Sequence, residues 1–406
     1  MTIENLHDYP QWKTFRNYLI GRNLMRSAFY IFNIFFVWET IVQYDSVFLA
    51  GMIPALSALG YLLVVIPEGH ILDRHNRGMV FRISSILTAL SYMFLYFHSI
   101  LAVVYSVALI SSILSIVNSD SFNTIMKETV PEKTMQSAIS LSQGTNAISE
   151  LAGIVFGGVL LYFPQQFMLI TLISLPILSS IFGFGRTLNR ANSSDRYGFK
   201  GAYRIIGVMI PFLLLSLIIN GLFISLDVFG SGLIHIILHD PPLDYSIFIA
   251  GFPVGAILGS TVSGKLSSHL SSVRIISILI IPVGVFLLCI ALSRSLYLDI
   301  LMTVLLGIFV IFINIGLQTI FMNAIPDAVM GRVNSLTMIF SIGGSPVMAA
   351  TFSLLSDYFY FPYIMAVASI LAIFVSLPAY SILKGLPERV SGIVRKMDEE
   401  DLNQNI

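Results

Sequence analysis

The sequence predicts an all-α membrane protein of twelve transmembrane helices arranged as two halves of six, and three features carry that expectation. Of 406 residues 56% are hydrophobic and 11% charged, with a mean hydropathy of +0.86, whereas soluble domains carry roughly 25% charged residues. Part of the chain repeats at an offset of 195 residues, from Gly69 to Gly264, and a longer echo keeps the same offset. In that echo Thr124, Ile125, Pro131, Glu132, Met135, Ser140 and Leu141 align with Thr319, Ile320, Pro326, Asp327, Met330, Ser335 and Leu336. A single long polar stretch, Arg186 to Arg204, separates the copies.

Crossing about 30 Å of hydrocarbon takes roughly 20 residues of helix. The first apolar run, 17–41, is rich in aromatic residues and lacks a small-residue cleavage site, so it reads as a span and not as a signal peptide. Spans at 46–68 and 79–97 flank the polar loop GHILDRHNRG. The next three, at 100–121, 137–162 and 165–185, complete the first half, the last two joined by Phe163 and Pro164. The second half follows at 205–236, 245–264, 274–293, 297–320, 335–356 and 360–383. The expected organisation is therefore an N-terminal half at 1–185, a cytoplasmic linker at 186–204, a C-terminal half at 205–383 and a cytoplasmic tail at 384–406.

Orientation follows from the basic residues. With the N-terminus inside, 19 of the 22 Lys and Arg fall in cytoplasmic segments; Arg22 and Arg26 lie in the first span and Arg294 faces out. That bias places both termini in the cytoplasm and the chain in the plasma membrane as a multi-pass protein. Zero net charge gives no sign of a nucleic-acid partner. The lone Cys289 can form no internal disulfide. His235 and His239 stand four apart, a spacing that can serve a metal, but Pro241 and Pro242 mark an interfacial loop, so no metal site is expected. No phosphate-binding glycine loop appears and the seven histidines are scattered, so neither a cofactor nor an enzyme activity is implied.

Six spans plus six, a cytoplasmic linker and the loop residues Gly69, Asp73, Arg74, Arg77 and Gly78 together resemble the major facilitator superfamily over nearly the whole chain. The resemblance implies that Asp73 caps a helix start and that the arginines ion-pair in a cytoplasmic conformational latch formed by Gly69, Asp73, Arg74 and Arg77. Asp73 precedes the helix expected from Met79, where the helix dipole favours an anion. In the second copy Ser268 and His269 replace the charges, so the latch is expected on the N-terminal half, gripping what the other half brings. Within the superfamily the chain looks most like the macrolide efflux and enterobactin exporters, through Gly21-Arg22, the LDRHNRG loop, and Glu128, Val130, Pro131 and Ala138. Proton-driven drug antiporters carry Gly-Pro-x-x-Gly-Gly in the fifth span; here Gly153, Gly157 and Gly158 remain but the proline is missing. Gly153 and Gly157, four apart, suit close helix packing.

Charges at membrane depth cost about 2.5–3.5 kcal/mol on insertion scales and mark function. Arg22, Arg26, Phe29 and Asn33 recur at helical spacing on the first span. Arg22 is expected to snorkel to the cytoplasmic surface, while Arg26, a turn deeper, needs a carboxylate. Glu150 shares a face of the fifth span with Gln143, Asn146, Gly153 and Gly157. An Arg26–Glu150 ion pair that yields to a proton is one reading and a static structural pair is the other; Asp227 in the outer half of the seventh span is the second candidate for proton coupling.

The superfamily lines its central cavity with spans one, four, seven and ten, and here each carries an asparagine: Asn33, Asn118, Asn220 and Asn314, with Gln318 beyond. With Phe29, Tyr30, Phe32, Phe36, Phe223 and Phe312 they suit an amphipathic molecule; packing between helices is the alternative role for each amide. The expected function is a secondary active transporter, a proton-coupled exporter of a lipophilic or amphipathic small molecule whose two halves rock in alternating access. An importer of a small metabolite, or a non-transporting receptor or scaffold, remains the alternative. The expected partners are that substrate, protons and the bilayer, and the chain is expected to be a monomer.

Overall fold

Apolar side chains cover much of the outside of this molecule and hydroxyl groups line parts of its inside. The computed structural model describes residues 11–97, 100–183, 198–270, 273–325 and 327–404, leaving aside the side chains of 65–74, 263–270, 318–324, most of 327–342 and some at segment ends. On the third helix Met79, Ile83, Ile86, Leu87 and Leu90 are exposed, while Ser84, Ser85, Thr88 and Ser91 are buried. That inverts the pattern of a soluble helix, and it fits a lipid solvent in which each inward hydroxyl finds an acceptor. The acceptors are carbonyls of the preceding turn: Ser85 donates to Phe81 at 2.9 Å and Thr88 to Ser84 at 2.9 Å.

Twelve long helices run through the described residues, in order α1 Trp12–Tyr44, α2 Val47–Arg74, α3 Arg77–Met93, α4 Leu101–Thr129, α5 Glu132–Leu160 and α6 Gln165–Phe182. The second set is α7 Gly198–Gly232, α8 Pro242–Leu270, α9 Val273–Leu292, α10 Leu296–Ala324, α11 Asp327–Ser356 and α12 Phe361–Gln404. Ten of them hold a stretch long and apolar enough to cross a membrane; α5 and α11, one repeat apart, do not reach that threshold among the described residues. In α5 the cause is visible, since Gln143, Asn146, Ser149 and Glu150 dilute its middle.

Several helices overrun the expected spans. α2 continues to Arg74, which puts Asp73 in its last turn, so Asp73 does not start the next helix. Asn76 takes that role, its side chain accepting from the Met79 amide at 3.1 Å. The expected tail beyond 383 continues as helix to Gln404, because Leu383, Leu386 and Val390 recur on one buried stripe.

The chain forms two compact units, Met1–Ala191 with Gly230–Pro253, and Asn192–Phe229 with Val254–Ile406. In the first, α1 packs against α2, α4, α5 and α6, and α3 against α4 and α6. Around the first turns of α1 lies a core of Phe15, Tyr18, Leu19, Phe81, Phe122 and Ile125. The hairpin 230–253 belongs with this unit, unlike the division at the linker alone: Trp38 stacks on Tyr245 at 5.5 Å and meets the His235 ring edge-on at 5.4 Å. In the second unit α9 packs against α10 and α12.

Candidate functional site

The seam between α1 and α5 gathers two arginines and a glutamate of the first unit. α1 is a continuous helix in which Arg22, Arg26 and Tyr30 rise on one stripe, and α5 answers with Ser142, Asn146 and Glu150 at the same four-residue interval. Two helices with matched intervals can pair rung by rung. Arg26 donates from Nη2 to Glu150 Oε2 at 3.0 Å and to the Tyr30 hydroxyl at 3.2 Å, and its guanidinium lies 5.3 Å from the Tyr30 ring centroid. The side chains of the pair are 31% and 19% exposed, so neither is fully buried.

Arg22 corrects the expectation of snorkelling. It is 6% exposed, donating from Nη1 to Ser142 Oγ at 2.5 Å and from Nη2 to Asn146 Oδ1 at 3.1 Å, over the Phe122 ring at 4.9 Å. The seam closes through small residues. Ser27 donates to the Ser149 carbonyl at 2.9 Å. A Cβ on Gly153 would lie 2.8 Å from the Ser27 carbonyl oxygen, and one on Gly157 would lie 3.2 Å from the Ile31 Cα. Both glycines thus let α5 approach α1. Gln143, expected on the same face, is exposed instead.

Of the latch residues, Arg77 is described, and it pairs with Glu128 near the end of α4 within the same unit, the two side chains 14% and 6% exposed. That corrects the reading in which Arg77 grips the other half, because its carboxylate partner is local. The surroundings of Gly69 and the side chains of Asp73, Arg74, Ser268 and His269 lie outside what the structure describes.

The four asparagines divide. Asn118 is fully buried and donates to the Phe81 carbonyl at 3.1 Å and to Ser85 Oγ at 2.9 Å, so it joins α4 to α3 and lines no open surface, against its expected place in the cavity. Asn33 is half-buried, donating to the Phe29 carbonyl at 2.9 Å and accepting from Ser57 of α2 at 3.4 Å. Asn220 is exposed and donates to the Ser216 carbonyl at 2.9 Å. Asn314 is exposed, and the Gln318 side chain lies outside the described residues. Phe32 and Phe36 are also buried, packed at 5.0 Å from each other, and are removed from the cavity set.

Asp227 is exposed on α7. His235 lies in a π-helical turn, Leu233–Leu238, and Nδ1 of His239 approaches the His235 carbonyl at 3.2 Å. Two acids escaped the sequence reading. Asp299, 1% exposed, lies in the first turn of α10, close to the start of the span expected from 297. Asp120 of α4 lies within electrostatic reach of Arg22; its signal was the four-residue run from Ser112 and Ile116 to Asp120 and Thr124, hidden by a span ended too early at 121.

Comparison with known proteins places this geometry in context. A family profile described as Major Facilitator Superfamily matches residues 18–348. Among solved structures the chain is similar to the nucleoside transporter NupG, at 14% identity and TM-score 0.74, covering 91% of this chain and 99% of that one. It is also similar to a bacterial homolog of the human lysosomal transporter Spinster in an inward-facing, unoccupied conformation, at 15% identity and TM-score 0.71, covering 95% and 98%. A POT family transporter in complex with a thioalcohol-conjugated peptide aligns at 13% identity and TM-score 0.71, covering 92% and 96%. At these identities the likeness is one of fold. No curated protein matches significantly.

Proposed function

The chain belongs to the major facilitator superfamily, and on that footing we propose that it is a proton-coupled carrier of an amphipathic small molecule, working by alternating access in the plasma membrane with both termini in the cytoplasm. Membership makes it a multi-pass membrane transporter. The coupling rests on one observation: the Arg26–Glu150 pair, 3.0 Å long and part exposed, midway along two packed helices. An acid ion-paired to a cation on another helix can exchange that ion pair for a proton, and the two states differ in how tightly α1 and α5 are tied. The neighbouring surface of Phe29 and Tyr30 favours an apolar body on the cargo.

Export is the direction favoured by the likeness of the sequence to macrolide and enterobactin exporters. A second reading, proton-driven uptake, is favoured by a specific feature of the seam: of two guanidiniums one turn apart, Arg26 is ion-paired to Glu150 while Arg22 is held by the neutral groups of Ser142 and Asn146. The deciding experiment uses proteoliposomes of the purified chain under an imposed pH gradient, with amphipathic dyes of either charge as probes and an internal pH indicator. Proton movement coupled to dye flux is expected in the wild type and is abolished in Glu150→Gln. Equal coupled flux in the two proteins, at equal amounts in the membrane, removes Glu150 as the carrier. Whether dye and protons move together or in opposite senses decides between uptake and export.

A further inference from the structure

The α1–α5 seam holds more positive charge than its own contacts neutralise. Arg26 has Glu150, but Arg22 is held by neutral groups, Ser142, Asn146 and the face of Phe122. The Nε atoms of both arginines are buried without a hydrogen-bond partner. Asp120 acts on Arg22 through its field but forms no ion pair with it, and its Oδ1 accepts from Asn123 at 3.0 Å. The charged and titratable groups around Glu150 are thus Arg26 and Tyr30 of α1, with Arg22 one turn below and Asp120 on α4 beyond it.

Once Glu150 takes a proton from water it becomes neutral, and two guanidiniums one helical turn apart stand with no ion-paired anion. A guanidinium presents a planar fork of donors that matches a carboxylate or sulfonate better than any neutral group, and more strongly where water is sparse. Arg26 is 31% exposed in its side chain although α1 is packed by four helices. An arginine edge left open at this depth is expensive against lipid, so it opens on a water-accessible interior.

We propose that this seam recognises the negative charge of an amphipathic organic anion, which replaces Glu150 as counter-ion of Arg26 when Glu150 is protonated and is held also by the field of Arg22, which has no ion-paired anion of its own. The inference rests on the proton-coupled reading in its uptake form. Protonation and anion binding reinforce each other by linkage, so the anion travels in the same direction as its proton.

The test measures binding to the full chain in lipid nanodiscs with three matched probes: 1-naphthoate, 1-naphthamide and 1-naphthylmethylamine. Naphthoate is expected to bind at least about tenfold more tightly than the amide, the size of one charge-assisted hydrogen bond, with uptake of about one proton per anion, the stoichiometry of a single linked acid. In Arg22→Gln and in Arg26→Gln the preference for the anion disappears, and in Arg22→Lys part of it remains. Glu150→Gln, which keeps shape and needs no refolding of the seam, binds naphthoate at least as tightly as wild type and without proton uptake. Equal binding of the three probes, no detectable naphthoate binding, or proton uptake that persists in Glu150→Gln overturns the proposal, the last even if the arginine variants misfold. Binding preference without gradient-driven flux in proteoliposomes removes the proton-coupled transport reading and leaves the anion site standing. Proton-driven flux of the dyes without naphthoate preference removes the anion site alone.

Discussion

The α1–α5 seam and the α7–α11 seam lie one repeat apart and are built from opposite materials. A shift of 195 residues carries Arg22 and Arg26 onto Leu217 and Gly221, Asn146 and Glu150 onto Ser341 and Ser345, and Gly153 onto Met348. In both seams glycine admits the neighbouring helix, from α5 in the first and from both helices in the second: a Cβ on Gly153 would meet α1, whereas one on Gly221 would lie 2.6 Å from Met348 Cγ and one on Gly344 of α11 would lie 2.6 Å from the Leu217 carbonyl oxygen. The α3–α4 contact shows the same exchange. Phe81, Ser85, Thr88 and Asn118 of the first unit correspond to Ile276, Ile280, Val283 and Ile313 of the second, all of them buried. Aliphatic packing has one charge state and one arrangement, whereas a hydrogen-bonded ion pair can trade partners. The first unit thus carries an ion pair and buried amide contacts at places where the second is packed largely by aliphatic side chains.

The sharpest way to break this comparison is to convert the first seam into the second. Arg26→Leu leaves Glu150 without its cation and is expected to destabilise the protein by about 2–3 kcal/mol, somewhat under the ~3–5 kcal/mol of a fully buried pair because both side chains are part exposed. Removing both charges, Arg26→Leu with Glu150→Leu, should recover most of that loss while transport stays dead. Thermal unfolding of the purified variants beside proteoliposome flux measures both. A double variant that is no more stable than Arg26→Leu alone would mean the pair is structural, and the contrast between a switching and a supporting seam would go.

The glycines give a smaller and more local contrast. Gly153→Ala puts a methyl against the Ser27 carbonyl oxygen and the Tyr30 Cβ, both at 2.8 Å, and neither can move without shifting α1. The expected cost is about 1–3 kcal/mol of overpacking. Gly221→Ala meets a flexible methionine, which can turn aside, and gains up to about 1 kcal/mol of helix propensity, so it is expected to be neutral or stabilising. Equal melting temperatures for the two variants would show that the seams are equally tight.

How much of this was legible in the sequence depends on whether depth or partnership had to be inferred. Twelve helices, the repeat and the common face of Arg26 and of Glu150 follow from hydropathy and a 3.6-residue period, which are properties of one segment at a time. Arg22 was misjudged because its depth was counted from an apolar run starting at 17, while the helix begins at Trp12 and α5 reaches down to Glu132 beside it. Polar and charged residues at their ends lengthen these helices without raising their hydropathy, so span boundaries fall short there, and Asp73 ends one helix where it was expected to start the next. The side of Arg77 that meets Glu128 depends on how α3 and α4 cross, which no local pattern encodes.

Asn118 is where a sequence with two equal readings is decided by its partners, and it gives the smallest expected effect. Ile313 holds the corresponding place in the second unit, so Asn118→Leu imitates the aliphatic version of the same contact. The amide donates to the Phe81 carbonyl and to Ser85 Oγ, but that carbonyl also accepts from Ser84 at 2.9 Å and from Ser85 at 2.9 Å, so no acceptor is left bare. Its own Oδ1 is buried without a partner, a penalty that the substitution removes. The loss of two donated bonds and the relief of one orphaned acceptor nearly cancel, leaving a change within about 1 kcal/mol. Stability should therefore move little, and coupled flux should not move at all, since no cargo reaches a fully buried side chain. A variant that folds with wild-type stability yet loses flux would return Asn118 to the transport path and show that the polar seam between α3 and α4 also opens during the cycle.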